Sequence, residues 1–413
     1  MSLLRPLSRS LPLPLLRSFG SSARSLSAAL PTPLLSLHAE RGGSMVDFAG
    51  YELPIFYKSE SGGVLKEHFQ TRERAGLFDV SHMGQIKWHG KDAKDFIETV
   101  VVGDIRGLEP GTGCLSLIMN EEGGIMDDTV ISNAKEGYVY MVVNGACKHK
   151  DMAHFEEQLK AYMAKNPDAD VCMDYMDDTH GLIAIQGPSA AAATAALLPA
   201  LDLSKVDFMS GFDCELGGVP GCRLTRCGYT GEDGFELSVP AEQTEQVARM
   251  LLEHEDVDVA GLGARDSLRL EAGLCLYGND LDESITPTQG ALGWTMGGPK
   301  GRRRKEQGFL GAGKFLTEEG KFRKISKKRV GLMGHKAPAR GQTEIYDEAG
   351  EALIGVVTSG TMSPCLKRPV AMGYVESAHA KAGTKVTVDI RGKKVPTEIT
   401  AMPFVETHYY RAP

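Results

Sequence analysis

The chain has eight cysteines but no Cys-x-x-Cys motif, and its closest pair is Cys222 and Cys227. Zinc-binding and thioredoxin-like readings therefore lack their ligands, and scattered free thiols fit a reducing compartment. Histidines do not cluster either. His149 and His154 lie five residues apart and miss the i,i+4 spacing that sets two imidazoles on one helix face, so no metal site is expected. No apolar run approaches the roughly 20 residues needed to span a bilayer, which argues against a membrane protein. A cationic surplus is absent as well. The net charge of −8 excludes a general nucleic-acid binder.

The N-terminus lacks acid. Nothing acidic precedes Glu40, while Arg5, Arg9, Arg17 and Arg24 stand among many Ser and Leu. Pro12, Pro14 and Arg17 break the apolar core that a secretory signal would need, so residues 1–30 read as an organellar transit peptide. Cleavage near Ser27 would remove those four arginines and take the charge from −8 to about −12.

What remains is an ordinary globular composition, 42% hydrophobic and 24% charged, over 413 residues. That length supports two or three sizeable cores. Helical patterns cover Val64–Ala75, Asp92–Val101, Lys148–Ala164 and Thr244–His254. Leu115–Met119, Ile125–Ser132 and Tyr138–Val143 alternate as strands with Gly-bearing turns between them, an antiparallel meander. The strand Leu182–Gln186 turns at Pro188 into an Ala-rich helix. Helices mixed with antiparallel strands predict an α+β body over residues 31–298. A basic connector, 299–328, precedes short strands that recur without a helical pattern, which predicts an all-β barrel domain over 329–413. Within the connector, Gly308-Phe-Leu-Gly-Ala-Gly-Lys314 imitates a phosphate-binding loop. Phe315 stands where the metal-holding hydroxyl belongs and no hydrophobic strand precedes it, so the nucleotide reading fails.

Two segments carry the chemistry. In Arg226-Cys-Gly-Tyr-Thr-Gly-Glu-Asp-Gly-Phe-Glu236, a tight turn at Gly231–Gly234 is expected to open a strand whose alternation sets Glu236 and Ser238 opposite Phe235, Leu237 and Val239. In Gly263-Ala-Arg-Asp-Ser-Leu-Arg269, helical spacing puts Arg265 and Arg269 on one face, where an anionic group is expected to meet both. Asp127 and Asp128 are adjacent on one strand and must point to opposite faces.

These segments, with Leu77-Phe-Asp-Val-Ser-His-Met-Gly84, Gly123-Gly-Ile-Met-Asp-Asp128, Ala184-Ile-Gln-Gly-Pro188 and Leu274-Cys-Leu-Tyr-Gly-Asn279, resemble the aminomethyltransferase (T-protein) family of the glycine cleavage system. The match runs in family order from about His38 to the C-terminus. The iron–sulfur assembly relatives carry Lys-Gly-Cys-Tyr-x-Gly-Gln-Glu, where this chain has Arg-Cys-Gly-Tyr-Thr-Gly-Glu-Asp. The resemblance implies a folate-binding aminomethyltransferase-like body, tetrahydrofolate as acceptor, and a lipoyl-bound aminomethyl donor carried by the H-protein. It also implies the mitochondrial matrix.

By motif position, the resemblance gives Asp128 the role of proton-handling carboxylate. It sets Glu236 against the pterin edge, where one carboxylate can accept two N–H donors. Arg265 matches a second ligand-contacting position and Tyr409 a substrate-contacting one; Tyr229 is read as a folate contact or a core residue, and Asn144 as a folate contact or a turn residue. Asp127 is expected to be a solvated or turn-stabilising acid, His82 a structural residue and Met83 core. The runs Lys300–Lys305, Lys321–Lys324 and Lys327–Arg329 are read as a solvated basic surface able to steer an acidic carrier.

Overall fold

The computed structural model describes residues 29–58, 63–176, 178–297 and 301–412. The expected transit segment up to residue 28 lies outside the described residues. No described helix is long and apolar enough to cross a membrane.

Two large sheets and a two-stranded ribbon, Gly43–Phe48 with Tyr51–Tyr57, make the body. One is five-stranded and antiparallel throughout, in the order Gly113–Met119, Ile125–Asn133, Val139–Val143, Gly84–His89 and Cys172–Tyr175. The other is six-stranded, in the order Gly211–Leu216, Val219–Thr225, Gly234–Pro240, His180–Gln186, Ala75–Asp79 and Val257–Val259. Only its last pair is parallel. Each sheet buries one face under helices. Trp88 packs against Phe96 and Phe155 of two helices, Ala93–Val100 and Lys148–Lys165. Phe235, Leu237 and Val239 pack with Val247 and Leu251 of the helix Thr244–Leu252.

The opposite faces meet. Tyr138, Tyr140 and Val142 of the five-stranded sheet share an apolar layer with Phe78, Leu182 and Ala184 of the six-stranded sheet. Ala264 and Leu268 close one end of this layer from the helix Leu262–Glu271. Period-2 alternation therefore decides which side chains enter the layer: Glu236 must face it because Phe235 and Leu237 face the helices.

Six further strands between Lys327 and Thr400 close into a barrel, with Lys327–Met333 paired to both Arg368–Glu376 and Lys393–Thr400. It docks beside the helix Leu262–Glu271 through Leu270, Val370 and Met372 and a set of buried polar contacts.

Two expectations are corrected here. Gly231–Gly234 is not a tight hairpin turn, because residues 226–233 leave the ladder between the two strands as a long excursion. Arg226 and Asp233 staple the base of this excursion with a bidentate pair at 2.9 and 2.6 Å. Arg72 holds its tip through the Thr230 carbonyl and Glu232. Second, the connector arginines are not a free basic surface. Arg303 is buried against Glu98 and accepted by the Glu98 and Val101 carbonyls. Arg302 is paired with Glu98, Asp104 and Glu306, and Arg304 donates to the Gly320 carbonyl. A guanidinium that finds several acceptors is drawn into the fold, and the run of arginines alone cannot reveal the distant acids that attract it.

Candidate functional site

Between the sheets lies a narrow recess, lined by Val130, Ser132, Tyr140 and Val142 on one side and by Leu182, Arg223, Thr225, Cys227 and Glu236 on the other. Asp128 shares its strand face with Val130 and Ser132, at the next position along.

Glu236 is half-buried, and burial raises its carboxyl above the ordinary range. Among the described residues no cation reaches ion-pair distance of it, and the Cys227 thiol is its polar neighbour. Arg265 stacks 4.8 Å over the Tyr229 ring, and burial works against its charge. Its Nη1 is buried and makes no hydrogen bond. Arg223 leaves Nε and Nη2 without acceptors, and Ser132 its Oγ. Buried polar groups are normally satisfied, so this grouping of a weakly partnered carboxylate and spare donors is what a polar, planar ligand would complete.

Asn144 sits where the strand Val139–Val143 ends, just beyond the Thr129–Val143 pairing. Its Nδ2 donates to Asp127 at 2.8 Å and to Asp128 at 3.0 Å, and its backbone N–H donates to Asp127 at 2.8 Å. These bonds orient the amide. Asp127 is fully buried, which corrects the expectation of a solvated acid. The Asn144 donors explain why a charge tolerates that position. Asp128 is raised to about 7 by burial first and by the Asp127 charge next, with the Asn144 hydrogen bond opposing. A carboxyl poised there both takes and returns protons near neutral pH.

The remaining expected residues lie around this centre. Tyr229 spends its hydroxyl on the Cys275 carbonyl, leaving only ring surface under Arg265. Tyr409 is not among the recess-lining residues. It stacks on Phe208 at 4.5 Å, in a tail that also bonds Gly231 and Glu232. Arg265 and Arg269 do not meet one shared anion, because Arg269 pairs with Asp266 and Asp280. His82 is buried, its imidazole lowered to about 3 by burial and by the Arg265 charge. Sequence reasoning missed Arg223 and Ser132. The available signal was polar residues on the layer-facing positions of otherwise apolar strands.

Residues 34–300 match the GCVT N-terminal domain model, and residues 327–406 match that of the glycine cleavage T-protein C-terminal barrel domain. A mitochondrial aminomethyltransferase of Mesembryanthemum crystallinum is 48% identical over 92% of this chain and 91% of its own length. That of Mus musculus is 46% identical, again covering 92% and 91%. The crystal structure of the glycine cleavage system aminomethyltransferase T from Bartonella henselae superposes with a TM-score of 0.83 at 38% identity, covering 93% of this chain and 100% of that one. The chain therefore belongs to the aminomethyltransferase family of the glycine cleavage system.

Proposed function

We propose that this chain is a tetrahydrofolate-dependent aminomethyltransferase of glycine catabolism. It moves the methylene of an aminomethyl-lipoyl group, carried on the H-protein, to tetrahydrofolate, releasing ammonia and the dihydrolipoyl carrier. Tetrahydrofolate supplies the two amine nitrogens that end up bridged by the methylene. Their two protons pass to the departing amine and to the lipoyl sulfur, so the exchange needs no oxidant.

The residues divide this work. Glu236 accepts from the N–H groups of the pterin edge, and its lack of a cationic partner favours that role. Arg265 offers the free Nη1 to a ligand oxygen. Asp128, in its carboxylate form, takes a folate proton and returns it to the amine as ammonia leaves. Asn144 holds that carboxylate in place. Tyr229 contributes ring surface beneath Arg265, and Tyr409 anchors on Phe208 the tail whose His408 holds Gly231 and Glu232. The single observation that carries the reading is Asp128, oriented by Asn144 and raised by burial and by the Asp127 charge, on the strand face that leads to the recess holding Glu236.

The mitochondrial matrix is the proposed location, supported by the names of the relatives and by the acid-free, Arg-rich N-terminus. Purified chain, loaded lipoylated carrier and tetrahydrofolate should together release ammonia. Ammonia release indifferent to tetrahydrofolate would overturn the assignment.

A further inference from the structure

Behind Asn144 the fold buries a carboxyl that no step above uses. Asp151 stands in the first turn of the helix Lys148–Lys165 and is fully enclosed. As a carboxylate it has no hydrogen-bond partner at either oxygen among the described residues. The group it meets is the carboxyl of Asp127, with which it hydrogen-bonds only if one of the two is protonated. Two enclosed carboxylates in contact cannot both stay ionised. The proton belongs on Asp151. Asp127 already accepts from the Asn144 backbone and the Asn144 amide, donors that favour its charged form, while Asp151 has none among the described residues.

We propose that Asp151 is a positioning residue: a neutral acid that donates a hydrogen bond to Asp127, keeps Asp127 ionised, and through Asn144 sets the orientation and electrostatic surroundings of Asp128. The inference rests on the reading of Asp128 given above. Burial and the Asp127 charge push Asp151 up to about 10, in line with this geometry. The other groups around the cluster are Cys147 and Lys150 on the same helix, and Tyr229, Cys275, Tyr277 and Asp280 across from it. Lys150 is engaged by the Met126 carbonyl, Tyr277 and Glu283. Asp280 is engaged by Arg269. That leaves Asp127 as the nearest charge able to respond to a change at Asp151.

Two variants test this in the full chain with loaded carrier and tetrahydrofolate. Asp151→Leu keeps the branched shape in a larger, apolar side chain and removes the donor. Asp127 then binds a proton itself, its charge beside Asp128 disappears, and the acidic limb of the kcat–pH profile should move down by about one pH unit. Asp151→Asn restores an N–H donor and should return the limb to within a few tenths of a unit of its original place. A purely structural role would lower stability without moving the limb. Independently of activity and of how well Asp151→Leu folds, infrared spectra at pH 8 should show a protonated-carboxyl C=O band that Asp151→Asn removes. No such band, or an unmoved limb in Asp151→Leu, overturns the proposal. Normal turnover in Asp128→Asn would instead overturn the reading of Asp128, while the infrared band still reports on the pair.

Discussion

The helix Leu262–Glu271 carries a buried charge near each end, and the two are treated in opposite ways. At its C-terminal end Glu271 is saturated: Arg72 at 2.9 Å, His68 at 3.1 Å, the Ser363 hydroxyl at 2.5 Å and the Cys365 N–H at 3.1 Å. Burial alone would raise its carboxyl, but these partners hold it at about 2. Ser363 and Cys365 come from the barrel, so this cluster is a junction between the barrel and the body. At the N-terminal end Arg265 keeps a buried Nη1 without an acceptor among the described residues, and Glu236, which feels its charge, forms no ion pair among them. A charge whose partners are complete holds the fold together. One left incomplete in a recess costs stability and is retained where a ligand completes it.

His68, Glu271 and Cys365 also lie close enough to offer three atoms to one cation. Glu271 is already spent on Arg72 and Ser363, and burial keeps the Cys365 thiol up at about 11, so the cluster is better suited to joining domains.

The sharpest break in the comparison is Asp128→Asn. Turnover should fall by about 10²–10⁴-fold while tetrahydrofolate affinity, measured by calorimetry, is preserved. Unimpaired turnover would move the proton acceptor elsewhere. The native enzyme should lose activity as pH falls through about 7, because only ionised Asp128 accepts a proton.

At the saturated end, Glu271→Ala leaves Arg72 and His68 buried without their shared acceptor. A loss of about 3–5 kcal/mol in urea denaturation of the full chain is expected. The native junction should also be acid-sensitive. A carboxyl depressed from 4.5 to about 2 contributes stability above 4.5, and that stability fades as pH falls from there toward 2. Glu271→Ala should lack that step. A variant with unchanged denaturation would show that the junction holds by apolar packing.

Glu236→Gln comes next, at about 1–3 kcal/mol of folate affinity with little change in stability, because the amide turns one acceptor into a donor facing donors. Unchanged calorimetric affinity would place the pterin outside the recess. The smallest effect is expected at Lys305, Lys321 and Lys324, which remain exposed after the connector arginines are committed to Glu98, Asp104 and Gly320. Reversing the three lysines to Glu should raise the KM for the carrier by a few-fold at low ionic strength, and added salt should erase the difference. An unaltered KM would locate carrier docking on another face.

Much of this was legible from local pattern. Period-2 alternation identified Ile125–Asn133 and Val139–Val143 as strands and set Glu236 opposite the Phe235–Val239 apolar face. Helical spacing and Gly punctuation located the helices Lys148–Lys165 and Leu262–Glu271, and recurring short strands without helices announced the barrel. Each of these depends on contacts within a few residues, which the order of the chain itself supplies.

What alternation could not decide was what each polar side chain would meet. Asp127 and Asp128 are neighbours of identical chemistry, yet one is enclosed against Asn144 and Asp151 and the other opens toward the recess. Arg302, Arg303 and Arg304 look like a solvated run until Glu98 and Asp104, some two hundred residues earlier, fold against them. The fate of a charge depends on its desolvation and on the distance to its partners, and both are set by long-range packing. The sequence by itself therefore determined the elements, their faces and the family. Only the tertiary structure decided which charges are spent on stability and which remain free for chemistry.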